Sequence, residues 1–530
     1  MGMRLFAVFI TLTEIVVLTS AIQPNIVFIL ADDLGYYDVG YHGKSVLTPT
    51  INNLTADGVR LEQYYTQPIC TATRASLMTG RYPIHLGFQK IGSINIKSAL
   101  GLPLNFTLLP ERLRELGYTT HGIGKWHLGY YNPKYLPTNR GFDSFFGYYG
   151  ADLHYFTHTS YDLWTQPPPN WCLDLHNNSK CVPNYNGTYS LDLYIQEAER
   201  IIQQHSSNTP MFMYLAMQNI HNPIEVPKEF EHLYYDVRSI DRRKTLGMVT
   251  ALDYSIAKLV NILKQKDGNF WDNTVLVFAS DNGGWPIPDG QGSNYPLRGS
   301  KLTYFEGGIR VPAFIHSPLI KNPGRIESSL FHVSDWYPTL VSLAGGSVTK
   351  DVNLDGVNQW DVISEGMGEN MYPPRSEILH NLQLYDGRYV NGAIRLGKWK
   401  LLTGAWANCT IESYPPYCFW TPPPEFNTAI SYSFDTCESM GTSDYQFSKE
   451  TNPSSYIDSR YGPVTLFDLE QDPYERYDVQ ESYPNVVELL IERLDSYLQS
   501  VVDDVQSPWE ADKWEKAAKA AGCLAPWDFD

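Results

Sequence analysis

Residues 25–33 read NIVFILADD. From Ile26 to Leu30 every side chain is apolar, and such an unbroken run suits a strand covered on both faces, as in a parallel sheet. The run ends in two adjacent carboxylates, Asp32 and Asp33. The same design recurs three times. Residues 119–123 (TTHGI) lead into Gly124-Lys125-Trp126-His127. Residues 211–217 (MFMYLAM) lead into Gln218-Asn219-Ile220-His221. Residues 274–279 (TVLVFA) lead into Ser280-Asp281-Asn282-Gly283-Gly284. Between them lie helical patterns at 108–116 (LLPERLREL, stopped by Gly117), 191–203 (LDLYIQEAERIIQ) and 245–266. Alternating strands and helices predict an α/β fold with a mainly parallel sheet.

In such a sheet ligands bind beyond the carboxyl ends of the strands. Four strand ends would therefore bring together Asp32 and Asp33, Lys125 and His127, His221, and Asp281 and Asn282. Singly, each has a bland reading: a polar turn, a hydrogen-bonded histidine, a surface lysine. Together they describe a metal site beside two histidines and a lysine. Carboxylate and amide oxygens are hard donors, suited to Ca²⁺ or Mg²⁺ rather than zinc. His42, His85 and His154 keep their structural readings, although His154 is a candidate for the pocket's border.

The texture changes near residue 385. Residues 389–402 (YVNGAIRLGKWKLL) predict a hairpin turning at Gly397-Lys398. Residues 464–468 predict a returning strand and 484–501 an amphipathic helix, with long loops over 406–460. The expected division is a leader over 1–21, a large domain over 22–385 that carries these strand ends, and a smaller α+β domain over 386–530. A chain of 530 residues is long for one core, in keeping with two domains.

With 43% hydrophobic and 18% charged residues the composition is globular. A net charge of −18 argues against a nucleic-acid partner, so any positive charge for an anionic substrate must be local. Arg4, the apolar stretch 5–18 and the small residues Thr19 and Ala21 read as a signal peptide cleaved near Ala21. No later segment reads as long and apolar enough to cross a bilayer, and no stable membrane span is expected. Asn53, Asn105, Asn177, Asn186 and Asn408 are glycosylation sequons. Seven cysteines in an oxidising compartment leave one over. Cys70 is the natural odd one, and Cys172 with Cys181 reads as a loop staple.

Residues 68–81 read PICTATRASLMTGR. Residues 74–79 predict a short helix ended by Gly80, which puts Cys70 near a helix N-terminus, where backbone N–H groups favour an anion. This segment resembles the signature of the sulfatase family. GKWHLG (124–129), FEGGIRVP (305–312) and LFDLEQDPYE (466–475) are similar to further blocks of that family, and the nearest subgroup looks like the arylsulfatase B-like enzymes (N-acetylgalactosamine-4-sulfatase and relatives). One position departs: Ala72 stands where the animal family usually has Pro, which makes conversion of Cys70 the point to test.

The resemblance implies a large alkaline-phosphatase-like domain plus a smaller C-terminal α+β domain. It implies that Cys70 is oxidised to formylglycine by the formylglycine-generating enzyme. It implies one Ca²⁺ per subunit, held by Asp32, Asp33, Asp281, Asn282 and the modified Cys70. Arg74 would steady the aldehyde hydrate, with Lys125 and Lys301 on the sulfate. His221, with Lys301, would protonate the leaving alcohol, and His127 would take the proton of the second hydroxyl. Asp281 is a candidate base as well as a ligand. The implied substrate is a sulfated small molecule or glycan, and the implied location is the secretory pathway, lysosomal or extracellular. Two other readings stay open: a phosphonate or phosphate ester hydrolase of the same superfamily, and a non-catalytic secreted binding protein.

Overall fold

The computed structural model describes residues 23–529 except 91–93, 161–171, 287–290, 349–352, 369–371, 386–388, 408–419, 421–422, 424, 426–459 and 506–509. The predicted leader, the sequon at Asn408, Cys409, Cys418, Cys437 and most of the expected 406–460 loops lie outside the described residues.

Sixteen strands are described, in two large sheets and one small pair. In chain order they are β1 (Asn25–Ala31), β2 (Val59–Leu61), β3 (Tyr64–Tyr65), β4 (Thr119–Lys125), β5 (Ser144–Tyr148), β6 (His176–Asn177), β7 (Lys180–Cys181), β8 (Met211–Ala216), β9 (Thr274–Ser280), β10 (Ala313–His316), β11 (Arg325–Glu327), β12 (Phe331–His332), β13 (Glu377–Tyr385), β14 (Tyr389–Leu396), β15 (Trp399–Thr403) and β16 (Val464–Asp468). The main sheet runs β11-β2-β10-β9-β1-β8-β4-β5-β6-β7. Its centre, β9-β1-β8-β4-β5, is parallel throughout, while β10 lies antiparallel between β9 and β2. The fold is therefore the expected α/β class with a mainly parallel sheet.

The reason is visible in β1. Ile26, Phe28 and Leu30 enter one apolar cluster, and Val27, Ile29 and Ala31 the other, on the opposite face. Successive strand residues alternate faces, so a strand buried on both must be apolar at every position. Helices cover each face. The helix Ile240–Gln265 is long and apolar enough to cross a membrane by length and composition, contrary to the expectation of no such segment. Two-thirds of its most apolar window is buried in this domain, where Leu246, Val249, Leu252 and Ile256 pack under the sheet.

The second sheet, β13-β14-β15-β16, is antiparallel. Leu379, Ile394 and Leu401 face the helix Pro484–Leu498, meeting Leu490 and Leu494. Ile378, Ala393, Leu402 and Phe467 face the large domain, meeting Tyr65, Phe305 and Ile309. The small sheet is thus fastened to the segment that carries Lys301 and Glu306. The chain then returns to the large domain, where Trp514 of the helix Ala511–Ala521 joins the cluster containing Trp126.

This return corrects one expectation. Cys172 does not staple to Cys181; Cys181 pairs with Cys523, 342 residues away, with Cα atoms 6.3 Å apart. The C-terminal stretch runs alongside Leu173, which bridges Cys523 and accepts the Leu524 amide at 2.8 Å, so Cys523 is delivered to β7. Cys172 is a buried thiol within the large apolar cluster.

Candidate active site

Cys70 opens the helix Cys70–Thr79, and every residue of that helix is buried. The Thr73 hydroxyl accepts the Gln67 amide at 2.9 Å, which fixes the approach, and Gly80, at φ 69°, ends the helix in the left-handed conformation. The helix is four residues longer at its start than expected, so Cys70 lies in its first turn, where backbone N–H groups lack intrahelical partners.

The carboxyl ends of β1, β4, β8 and β9 bring the expected residues to this helix end. Asp32 Oδ2 accepts from Lys125 Nζ at 2.6 Å, with both side chains fully buried. Arg74 lies beneath, donating from Nη2 to Asp281 Oδ2 at 2.7 Å and from Nη1 to the Lys125 carbonyl at 3.3 Å and the Tyr214 hydroxyl at 3.4 Å. Lys301 Nζ lies 2.7 Å from Asp33 Oδ1. Asn282 Nδ2 donates to the same Asp33 oxygen at 2.7 Å. His221 Nε2 is 3.8 Å from Asp33 Oδ2. Thus Asp32, Asp33, Cys70, Arg74, Lys125, His127, His221, Asp281, Asn282 and Lys301 occupy one pocket.

Backbone geometry is unusual here. Asp33, His127 and Leu302 have φ of 60°, 55° and 72°. For a residue such as Leu302 that region costs about 1–2 kcal/mol, a strain the surroundings must hold. Gly283 of the SDNGG segment has a packing role: a Cβ there would meet the Gly307 carbonyl oxygen at 1.8 Å, so this glycine lets the EGG segment lie against the end of β9.

Charges in the pocket balance, with Asp32, Asp33 and Asp281 facing Arg74, Lys125 and Lys301. Burial works against charge on Lys125, yet Asp32 holds its ammonium above the usual lysine range. Asp33 is likewise buried, and Lys301 and then His221 draw its carboxyl below the usual range. Burial pushes the Cys70 thiol up to about 11, with Lys125 and Lys301 opposing. An unmodified Cys70 is thus a protonated, poor nucleophile at neutral pH. His127 and His221 sit well below the usual histidine value, first through burial and then through Lys125 beside the former and Lys301 beside the latter.

Tautomers follow from the partners. His127 Nε2 lies 3.1 Å from the Ile94 carbonyl and so carries the proton, leaving Nδ1 a buried acceptor with no hydrogen-bond donor among the described residues. His221 Nδ1 lies 2.8 Å from the Asn222 carbonyl, so its Nε2 faces the pocket as the exchangeable position.

A cation fits these donors. Asp32 Oδ1 and Asn282 Oδ1 are buried oxygens without hydrogen-bond donors among the described residues. Carboxylate oxygens of Asp32 and Asp281 and the Cys70 sulfur lie within 4.8 Å of one another. Buried acceptors left unpaired are costly, and hard oxygen donors in this number suit a divalent cation such as calcium.

Residues 24–347 match the Sulfatase family profile. The chain belongs to the sulfatase family. This sulfatase is 40% identical over 498 residues to arylsulfatase J of Mus musculus, covering 91% of this chain and 76% of that protein. It is 32% identical over 364 residues to N-acetylgalactosamine-6-sulfatase of Homo sapiens, covering 65% of this chain and 66% of that protein. Among solved structures, Ps i-CgsB in complex with k-i-k-neocarrahexaose superposes with a TM-score of 0.72 at 28% identity, covering 94% of this chain and 97% of that one. The sulfatase is accordingly a sulfuric ester hydrolase with the alkaline-phosphatase-like fold and a smaller antiparallel sheet. The arylsulfatase B-like subgroup is not singled out by these relatives.

The pocket also holds groups that the sequence did not reveal. Thr71 Oγ1 contacts His127 Nε2 at 3.2 Å. The Trp285 ring centre is 5.8 Å from Lys301 Nζ. Asp152 Oδ1 lies 3.4 Å from His221 Nε2. Asp152 follows β5, a fifth strand delivering a carboxylate to the same rim. The signal was present in residues 144–152 (SFFGYYGAD), masked by glycines at 147 and 150 that break the apolar run.

Proposed function

We propose that this sulfatase hydrolyses the sulfate ester of a sulfated small molecule or glycan through a formylglycine made from Cys70, with one calcium ion held by Asp32, Asp33, Asp281, Asn282 and the modified residue. The observation that carries the reading is the charge arrangement around Cys70. In the buried part around Cys70 three carboxylates and three cations balance, with Asp152 further out at the mouth beside His221, so a divalent cation leaves a local surplus of two positive charges. That surplus matches a sulfate monoester anion plus one ionised hydroxyl. Asp32 is built for both tasks, with Oδ2 taken by Lys125 and Oδ1 available.

When bound, the cation would polarise the sulfate oxygens; the hydrated aldehyde would supply one nucleophilic hydroxyl, its proton passing to Asp281, and a second that lets sulfate depart as the carbonyl re-forms, a water molecule then restoring the hydrate. The chain's own residues do the rest. Lys125 and Lys301 bind the sulfate oxygens and neutralise the charge that builds up at the transition state. Arg74, with Asp281, holds residue 70 against the end of β9. His221 Nε2 delivers a proton to the leaving oxygen, with Lys301 beside it. His127 Nδ1 accepts the proton of the second hydroxyl. Burial excludes water, which strengthens each of these interactions.

The expected leader and the sequons support a route through the secretory pathway, where the formylglycine-generating enzyme would act on the nascent chain, with a lysosomal or extracellular destination. Asn53, Asn105, Asn177 and Asn186 are all exposed, as glycan acceptors require.

The test is mass spectrometry of the peptide containing Cys70, from protein secreted by animal cells, alongside hydrolysis of p-nitrocatechol sulfate. Formylglycine at position 70 with turnover that Cys70→Ala abolishes is the expected result. An unmodified thiol and no turnover would sink the reading.

A further inference from the structure

We propose that Asp152 is a specificity-determining residue, favouring a leaving alcohol with a neutral hydroxyl beside the sulfate ester and disfavouring one with an anionic group there; this rests on the sulfatase reading above. Three observations carry it. The first is depth. Asp32, Lys125 and Arg74 side chains are 0% exposed, whereas Lys301 is 10%, His221 8% and Asp152 11% exposed. These three mark the mouth of the pocket, where the part of the substrate outside the sulfuryl group must lie.

The second is proximity to the proton donor. The leaving oxygen must meet His221 Nε2, and Asp152 Oδ1 is 3.4 Å from that atom. A substituent on the carbon adjacent to the ester-bearing carbon therefore comes up against the Asp152 carboxylate. A hydroxyl there donates to it in a charge-assisted hydrogen bond. A sulfate or carboxylate there meets a like charge in a poorly solvated place.

The third is rigidity. The two backbone amides just before this residue's loop, Tyr149 and Gly150, donate to Asp174 at 2.9 and 2.8 Å. Just after it, the Tyr155 amide donates to Glu225 at 2.7 Å, and the Tyr155 hydroxyl donates to the His221 carbonyl at 2.9 Å. The segment that carries Asp152 is thus tied to the backbone of His221, so the carboxylate and the imidazole keep their spacing.

The experiment compares kcat/KM for three 4-nitrophenyl sulfates, bearing an ortho hydroxyl, an ortho hydrogen or an ortho carboxylate, on the full secreted chain with formylglycine verified. Intrinsic reactivity of each ester cancels when wild type is divided by variant. The hydroxyl-over-carboxylate preference is expected to fall at least about tenfold in Asp152→Asn and Asp152→Ser, with melting temperatures unchanged, and to survive in Asp152→Glu, which keeps the charge. A preference equal to wild type in both neutral variants overturns the assignment of Asp152 alone. Should one of them fail to fold, the other carries the readout. Absence of turnover of all three esters by the wild type overturns the sulfatase reading and this inference with it.

Discussion

Lys125 Nζ and Asp32 Oδ2 are 2.6 Å apart with neither side chain exposed to solvent. Removing one partner of a buried pair leaves the other uncompensated, at a cost of about 3–5 kcal/mol. Lys125→Met is therefore expected to lower thermal stability and to reduce kcat/KM by at least about a hundredfold, the scale of losing one preorganised transition-state charge. Asp32→Asn with Lys125→Met should restore much of the stability and none of the activity. Denaturation curves and kinetics of the two variants check this; full activity in Lys125→Met would remove the lysine from the sulfate.

A cation held by Asp32, Asp33, Asp281 and Asn282 must stabilise the fold by mass action. Calcium at a hundred times its dissociation constant adds about 2.7 kcal/mol, a rise of about 2–4 °C in melting temperature. The shift should vanish in Asn282→Ala and on chelation. A calorimetric scan of secreted protein with calcium and with chelator measures it, independently of turnover. A shift that persists in Asn282→Ala places the ion elsewhere.

How much of this was legible in the sequence depended on burial. Strands β1, β8 and β9 are covered on both faces, so their unbroken apolar runs announce them, and the polar residues that follow must lie at the sheet's carboxyl edge. β5 contains Gly147, whose Cβ would collide with the Gly124 carbonyl at 2.0 Å, so the close approach of β4 and β5 erased the apolar signal. Asp152 was lost with it. The Cys181–Cys523 pair depends on a C-terminal return that local patterns do not encode, and a nine-residue spacing made Cys172 the more obvious partner. Helix Ile240–Gln265 shows the reverse problem: a core helix and a membrane span look alike when only composition is read.

His221 sits well below the usual histidine value because of burial and Lys301, with Asp33 opposing. A proton donor must be protonated in the active complex, so activity is lost as pH rises through its pKa. With that pKa below about 6.5, the alkaline limb of kcat/KM should begin on the acidic side of neutrality. Lys301→Gln removes the nearest cation and should move this limb to higher pH while lowering the maximum rate. Profiles of wild type and variant, recorded with an aryl sulfate, test the direction; a limb that moves to lower pH contradicts the role of His221 as acid.

At the seam between the two sheets, Lys400 Nζ lies 2.9 Å from Glu306 Oε1 and 2.7 Å from Glu475 Oε1, all fully buried. One cation cannot hold two carboxylates ionised equally. For Glu306 burial is outweighed by Lys400, then Arg310 and Arg395, and its carboxyl falls below the usual range. For Glu475 burial prevails over Lys400, Glu306 adds to it, and its carboxyl rises to about 7. A depressed acid contributes stability that is present above its unfolded pKa and is lost as pH falls. A raised acid contributes stability that is complete below its unfolded value, near 4.5, and is lost as pH rises to about 7. The seam should therefore be firmest at about pH 4.5–5 and loosen steadily up to about pH 7. Glu475→Gln mimics the protonated form, so it should raise the melting temperature at pH 8, raise it less at pH 5.5, change it little at about pH 4 and flatten the decline above that. Melting temperatures of both proteins across pH 4–9 decide the matter, and an equal loss of stability by the variant at every pH would show that Glu475 is needed as an anion.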